Sequence, residues 1–381
     1  MKDQNLKLDS TLFLIVLVLL VIGVVMVYSS SSFKAQEIYE DSHYFLKNHF
    51  YKVLFGLLLM LIVSKINYTV WLKISPLLLL VSFGALIYLL VSPDVAAVRG
   101  SKRWIPFGSF QFQPADLAKL ALILFLSHSL GQTNLMRTDT SKRFIFHLGV
   151  IVLIVLPITL QPDAGTAILI SFIAITLVFV SGEKLRHFFI PAIISTAFFL
   201  IIFLQNGYQW ARIMKFIASL KGEELHWQTQ QSLISLGNGG FFGLGLGGSR
   251  QKYHFLPDPF TDFIYAIVGE EMGILGTLAV LFLLIAFVSI GVKIAMMTAE
   301  KPGKLLAFGI VLNIAIYAFT NSAVVLNLLP TTGIPMPFLS YGGSALIINL
   351  FGIGILLNIA EQNRKKLSPV RNQTGHRKIG F

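Results

Sequence analysis

Cysteine is absent from the 381 residues. That excludes disulfides, zinc–thiolate centres and a thiol nucleophile. Charge is scarce as well: Asp, Glu, Lys and Arg make up 13% of the chain and hydrophobic types 55%, whereas soluble domains carry about 25% charge. The strict alternation of a membrane β-barrel is missing. So is a small-x-small cleavage site after the first apolar run, which passes straight into Tyr28-Ser-Ser-Ser-Ser32 and therefore reads as a retained helix rather than a signal peptide. No stretch reads as a soluble domain, and no strong internal repeat is visible.

What the chain has is apolar length. Thr11–Tyr28, Leu46–Val63 and Leu77–Val91 can each cross about 30 Å of hydrocarbon as a helix. The pattern predicts an all-α integral membrane protein with about ten transmembrane helices, over 10–29, 47–65, 73–92, 114–131, 144–161, 165–182, 187–205, 267–292, 304–326 and 342–361. Most of the 30 Lys and Arg fall in segments that an N-in, C-in arrangement places in the cytoplasm, as the positive-inside rule asks. The net charge of +12 thus follows topology and does not mark a nucleic-acid binder. Residues 1–362 form one polytopic membrane domain, and 363–381 read as a basic, disordered cytoplasmic tail. The outer segments are 30–46, 93–113, 206–262 and 327–341. The third joins helices 7 and 8, is too long to be structureless and is expected to hold short helices.

Asp262 ends the polar-facing stretch Leu256-Pro-Asp-Pro-Phe-Thr-Asp-Phe-Ile-Tyr265, where the chain re-enters the membrane. A carboxylate at that boundary is costly and usually functional. Two compatible readings apply: an N-cap for the following helix, and a general base whose pKa is raised near the apolar boundary. On a continuous helix Glu270 lies about two turns away, roughly on the same face as Asp262. Glu270 and Glu271 are candidates to hold a divalent cation, although a structural ion pair is the favoured reading for at least one of them.

Arg99-Gly-Ser-Lys-Arg-Trp-Ile105 is either an interfacial anchor or a phosphate reader through Lys102 and Arg103. Gln113-Pro-Ala-Asp116-Leu-Ala-Lys119 opens a helix, with Pro114 in its first turn and Lys119 one turn inside, where a partner or anionic ligand is expected. Asp163, in the tight turn Gln161-Pro-Asp163-Ala-Gly-Thr166, either caps the next helix or serves the site. His254 in Arg250-Gln-Lys252-Tyr-His254 has too few companions for a metal site. The run Gly237-Asn-Gly-Gly-Phe-Phe-Gly-Leu-Gly-Leu-Gly-Gly248 lacks the strand–helix context of a dinucleotide loop; its glycines read as close backbone approach. Pro330–Ser344 is irregular backbone between helices, tolerated at membrane depth only where protein or a wet cavity surrounds it.

Taken together and in order, these segments resemble the SEDS family of polytopic cell-wall proteins, the RodA/FtsW/SpoVE group. The resemblance runs from Val27-Tyr28-Ser29-Ser30 through Lys102-Arg-Trp-Ile105, Gln113-Pro-x-Asp-x-x-Lys119, Gln161-Pro-Asp-x-Gly-Thr166, Gln231-Ser232, Thr261-Asp-Phe-Ile264 and Gly269-Glu-Glu-x-Gly273 to Pro330–Ser344. Gly245–Lys252 and Leu329–Gly333 look closer to the FtsW-like division branch than to the elongation branch. Phe260 stands where the family usually has His, and Ala115-Asp116 where it has Ser-Glu.

The resemblance implies a peptidoglycan glycosyltransferase that polymerises lipid II at the extracytoplasmic face of a bacterial inner membrane, with Asp262 as catalytic base and undecaprenyl pyrophosphate as leaving group. Lys102, Arg103, Lys119, Asp163 and Ser340 are the expected substrate-binding residues. A divalent cation, Mg or Mn, is the expected cofactor, with no organic cofactor. The implied partners are a class B penicillin-binding protein and other divisome or elongasome membrane proteins, in cell division or cell shape. Two rival readings are a lipid II flippase, which needs polar groups through the whole membrane thickness, and a non-catalytic scaffold for the transpeptidase.

Overall fold

The computed structural model describes residues 8–92, 101–108, 110–132, 140–188, 207–221 and 227–367. Its helices are α1 (Leu8–Tyr39), α2 (Tyr44–Lys65), α3 (Tyr68–Val91), α4 (Pro114–Gly131), α5 (Thr140–Leu160), α6 (Ala164–Val180), α7 (Gly207–Leu220), α8 (Trp227–Gly239), α9 (Ile264–Met297), α10 (Lys301–Val325) and α11 (Ser344–Leu367). Among the described residues, seven helices (α1, α2, α3, α5, α9, α10 and α11) are long and apolar enough to cross a bilayer. Helices α4 and α6 occupy the places the sequence assigns to two further spans. The expected span 187–205 lies almost wholly outside the described residues.

The helices meet through small residues, as membrane helices do when backbones must approach closely. On the α2–α11 seam, a Cβ at Gly354 would come within 2.6 Å of the Met60 carbonyl. Gly309 of α10 faces Ile123 of α4 and Leu177 of α6 in the same way. Large apolar side chains such as Leu54, Leu58 and Ile62 of α2 and Leu77, Leu80 and Val81 of α3 remain exposed, the surface a lipid-facing helix presents.

One end of the bundle gathers the start of α1 and the end of α11. Arg364 of α11 pairs with Asp9 of α1 at 2.7 Å, and Lys366 pairs with Glu300, just before α10, at 2.6 Å. Tyr68 donates to the same Glu300 at 2.6 Å. Helix α11 runs through Leu367, past the expected end of the last span at 361, with its last turn tied to α1 and to Glu300.

Three further features differ from expectation. Helix α1 runs well past residue 29, because Ser30 returns its hydroxyl to the Met26 carbonyl at 2.6 Å and Ser29 finds a carboxylate partner. A short antiparallel hairpin, β1 (Ile105–Phe107) with β2 (Phe110–Phe112), precedes α4. Helix α9 is not continuous: Gly273 has φ +67°, and two helical stretches meet there.

The glycine run explains how that break is tolerated. In an unbroken helix the amides of Ile274 and Leu275 would bond the carbonyls of Glu270 and Glu271. Instead they donate to Gly240 and Phe241 at 2.9 and 3.3 Å, and the amides of Leu244 and Gly245 take over the carbonyls of Glu270 and Glu271 at 2.9 and 3.0 Å. The exchange gives these four amides partners at the kink, and it brings two backbones together. A Cβ at Gly273 would strike the Phe241 carbonyl, and one at Gly243 would strike the Glu271 carbonyl.

Gly273→Ala therefore combines a positive φ with a backbone clash, and is expected to cost about 1–3 kcal/mol or more. Thermal unfolding of the purified protein should show a lowered Tm, while Gly84→Ala, whose added Cβ meets nothing within 4 Å, should leave it unchanged. Equal Tm values would mean that α9 does not need the break.

A candidate active site beneath the 330–344 strap

Asp262 sits one residue before Phe263, the N-cap of α9. It is thus neither the cap itself nor on the helical face that carries Glu270, which removes both expectations. Its segment is held by the irregular strap 330–344. Asn321 of α10 donates from one amide nitrogen to the Asp262 carbonyl at 2.7 Å and to the Ile334 carbonyl of the strap at 2.8 Å. Ser340 donates to the Thr261 carbonyl at 2.6 Å while accepting the Met336 amide at 2.8 Å. The Tyr341 amide donates to the Phe260 carbonyl at 2.8 Å. Gly333 backs onto the carboxylate: a Cβ there, at φ +73°, would lie 3.4 Å from Asp262 Oδ2. Asp262 itself is half-buried.

The strap lies among helices, as irregular backbone at membrane depth must. It rests on α1, where Gly23 leaves room for the Phe338 carbonyl, and Phe338 and Leu339 are buried. Toward its start, Thr332 packs on Gly165. Toward its end, Gly343 touches the Gln111 carbonyl of the hairpin.

The strap's far end reaches a second cluster. Ser344 donates to Asp116 Oδ2 at 2.9 Å and accepts the Gln113 amide at 3.1 Å. Asp116 pairs with Lys119 at 3.5 Å, and the Lys119 ammonium lies 3.9 Å from the centre of the Tyr317 ring. Both members of that ion pair are buried. Arg103 pairs with Asp163 at 3.5 Å and donates to the Pro162 carbonyl at 2.8 Å; Gln113 reaches the same Asp163 at 3.4 Å. Burial pushes the Asp163 carboxyl up, and the Arg103 guanidinium pulls it back. Asp163 stands at the N-cap position of α6. Lys102 points elsewhere, donating to the Ser92 carbonyl at 2.7 Å.

The structure thus brings together Arg103, Asp163 and Lys119 in one network and places Asp262 and Ser340 at the other part of the same strap. Ser340 is engaged in holding backbone. Glu270 and Glu271 form a separate, buried nest under residues 249–252. Glu270 accepts from the Ser235 hydroxyl at 3.1 Å, the Ser249 hydroxyl at 2.5 Å and the amides of Arg250 and Gln251. Glu271 accepts the Ser29 hydroxyl at 2.7 Å and pairs with Lys252 at 3.2 Å. That is the structural ion pair the sequence reading favoured, and these oxygens do not fit a resident cation without losing their partners. Among the described residues no three His, Cys, Asp or Glu converge as a metal site.

Sequence reasoning missed Asn321, Tyr341, Lys34 and Lys52. Lys34 faces Asp258 at 3.8 Å and the Phe260 ring at 5.5 Å. Lys52 donates to the Tyr341 hydroxyl at 3.3 Å. Their one sequence signal was a Lys at the margin of an apolar run.

The cell cycle protein family FtsW/RodA/SpoVE matches residues 10–365. The chain belongs to that family. Stage V sporulation protein E of Bacillus subtilis is 37% identical over 366 residues, covering 96% of this chain and 100% of that protein. The probable peptidoglycan glycosyltransferase FtsW of Geobacter metallireducens is 35% identical over 355 residues, covering 93% of this chain and 95% of that protein. A chain of a solved peptidoglycan synthase complex, described for its structural coordination of polymerization and crosslinking, superposes with a TM-score of 0.72 at 23% identity, over 92% of this chain and 97% of that one. The crystal structure of the rod shape determining protein RodA of Thermus thermophilus gives a TM-score of 0.67 at 24% identity, over 92% and 96%. The last two establish a shared fold.

Removing one member of a buried ion pair leaves an uncompensated charge and costs on the order of 3–5 kcal/mol, whereas an exposed pair contributes about 0–1 kcal/mol. Glu271→Ala, which strands Lys252, should therefore depress Tm far more than Lys47→Ala, which breaks the exposed pair with Asp41. Comparable shifts would contradict the nest's structural role.

Proposed function

We propose that this protein is a peptidoglycan glycosyltransferase that polymerises lipid II, with its active site at the strap on the extracytoplasmic side of a bacterial inner membrane. The observation that carries the reading is the half-buried Asp262, held by its own backbone and the strap's in a chain that matches the family almost end to end. A fixed carboxylate at a membrane boundary suits a general base.

In the proposed reaction Asp262 accepts the proton of the acceptor's GlcNAc 4-hydroxyl. The freed oxygen attacks the anomeric carbon of the donor's MurNAc. The bond from that carbon to the diphosphate oxygen breaks, and undecaprenyl pyrophosphate leaves with the electron pair. Cations would offset its charge. Lys119 and Arg103 already face carboxylates, so a substrate phosphate must share them; Lys102 uses one of its three donors on a carbonyl. A divalent cation, Mg or Mn, would be held by substrate phosphates and one carboxylate, as Mg commonly is, rather than by Glu270 and Glu271. A class B penicillin-binding protein is the proposed partner.

A flippase would need polar groups throughout the bundle. Among the described residues the buried Asp, Glu and Lys side chains are Asp116, Lys119 and Asp163 in the network at the strap's end, Lys252, Glu270 and Glu271 in their nest, and Glu183 next to α6's other end. The interior between them is largely apolar, which favours chemistry at one face over passage.

Purified protein with purified lipid II is expected to yield glycan chains, with or without the transpeptidase. Asp262→Asn should yield none while keeping the wild-type Tm, and Lys119→Ala should reduce the rate more than Lys47→Ala. A folded, fully active Asp262→Asn would overturn the assignment of the base. No polymer from the wild type under either condition would move the reading to transport or scaffolding.

A further inference from the structure

Three cations linked to the strap or to the Asp262 segment have carboxylate partners, Lys34 with Asp258, Lys119 with Asp116 and Arg103 with Asp163, at 3.5–3.8 Å, and Lys252 of the separate nest pairs with Glu271 at 3.2 Å. Lys52 has none among the described residues. It stands eight residues into α2 from Tyr44, about 12 Å along the helix, with its side chain half-buried. Its partner is neutral: the Tyr341 hydroxyl at 3.3 Å and the same ring, whose centre is 4.5 Å from the ammonium.

One turn before it on α2, His49 is fully buried with its ring centre 5.7 Å from that of Tyr341. Neither of its ring nitrogens has a hydrogen-bond partner. Where α2 meets Tyr341, an ammonium therefore lies one turn from a buried imidazole without a hydrogen-bond partner, and among the described residues no carboxylate pairs with either. An intramembrane charge that lacks an internal counter-ion is expected to meet an external one. The place is the edge of the site, since Tyr341 is bonded through its amide to Phe260, two residues from Asp262.

We propose that Lys52, with His49 behind it, binds a phosphate group of a lipid headgroup at the edge of the Asp262 segment. A phosphate oxygen can accept a charge-assisted hydrogen bond from the ammonium and a second from an imidazole N–H. Tyr341 holds the ammonium when no anion is present and brackets the bound headgroup through its ring. The inference deepens the glycosyltransferase reading, because a lipid-linked diphosphate brings such a phosphate to this face. An ordinary anionic phospholipid carries the same chemistry.

The test is lipid retention by the purified full chain in neutral detergent, read by native mass spectrometry. The probes are undecaprenyl diphosphate, phosphatidylglycerol and, as a control without phosphate, undecaprenol. Lys52→Met should lose about tenfold in retention of a phosphorylated probe, the loss expected for one charge-assisted hydrogen bond, and Lys52→Arg should keep it. A loss confined to undecaprenyl diphosphate supports a substrate subsite, and one confined to phosphatidylglycerol supports a headgroup site for bulk lipid. Unchanged retention of both phosphorylated probes overturns the proposal. So does an equal loss in the Met and Arg variants, or a matching loss of undecaprenol, because either reports packing rather than charge. Retention needs no turnover, so Asp262→Asn should bind as the wild type does. A wild type that forms no glycan while Lys52→Met still loses the phosphorylated lipid would sink the enzyme reading and leave the anion site standing.

Discussion

Backbone amides and carbonyls inside a bilayer have no water to fall back on, and the arrangement of this protein follows from that constraint. Two stretches leave helical geometry at depth, the Gly273 break and the 330–344 strap, and each is supplied with partners from elsewhere in the chain. At the break, the glycine run donates and accepts in place of the missing turn. At the strap, Asn321 spends one amide group on two carbonyls, and Ser340 bonds on both sides. The glycines are a consequence rather than a cause, since only residues without a Cβ allow the two backbones to approach that closely. Asp262 inherits its position from this network. Its main chain is fixed by bonds to Asn321 and, through its neighbours, to Ser340 and Tyr341, so its carboxylate does not have to anchor the segment.

The same constraint governs charge. Buried ions are costly unless paired, and this chain pairs most of them within itself. The pairs are not equivalent. Glu271 and Lys252 close a nest that is roofed by amides and hydroxyls, a finished structural unit. Lys119 and Arg103 face single carboxylates at 3.5 Å, and the buried Lys119 ammonium, beside the Tyr317 ring, has no hydrogen-bond partner. Under the proposed function, a substrate phosphate would have to share these pairs with their carboxylates. Ser344 and Thr332 tie the Lys119 and Asp163 sides to the strap that also carries Gly333 against Asp262. A ligand that reorders one cluster therefore acts on the backbone that holds the other.

Much of this was legible in the sequence, because hydrophobic runs report helices well. The apolar segments other than 187–205 each land on a helix, and the α4 boundaries Pro114–Gly131 match the expected 114–131. The errors arise where polar residues prolong a helix through distant partners. The residues after Ser29 read as loop until Glu271 is beside Ser29, and Arg364 reads as tail until Asp9 is. Capping chemistry misled in a similar way: Thr261-Asp262 looks like a helix start, yet tertiary bonds to both carbonyls move the cap to Phe263. Glu270 and Glu271 announced themselves as a pair, but only their surroundings decide between ligands for a metal and acceptors for amides. Lys52 shows the opposite failure. A single Lys in an apolar helix is a visible signal, but its missing counter-ion is a property of the packed structure.

The geometry divides labour between rigid and adaptable groups. The proposed base is a short side chain on a segment bonded to α10 and to the strap, and a base must hold its distance to the proton it takes. The cations around it are long side chains with exchangeable partners, and a leaving diphosphate with a flexible lipid tail needs contacts that can follow it. A sliding polymer makes the same demand, because the acceptor must advance after each addition while the base stays in place. Backbone fixation of Asp262 meets both requirements: its position is set by main-chain bonds to Asn321 and the strap, while the cations that a leaving diphosphate would engage lie on other residues.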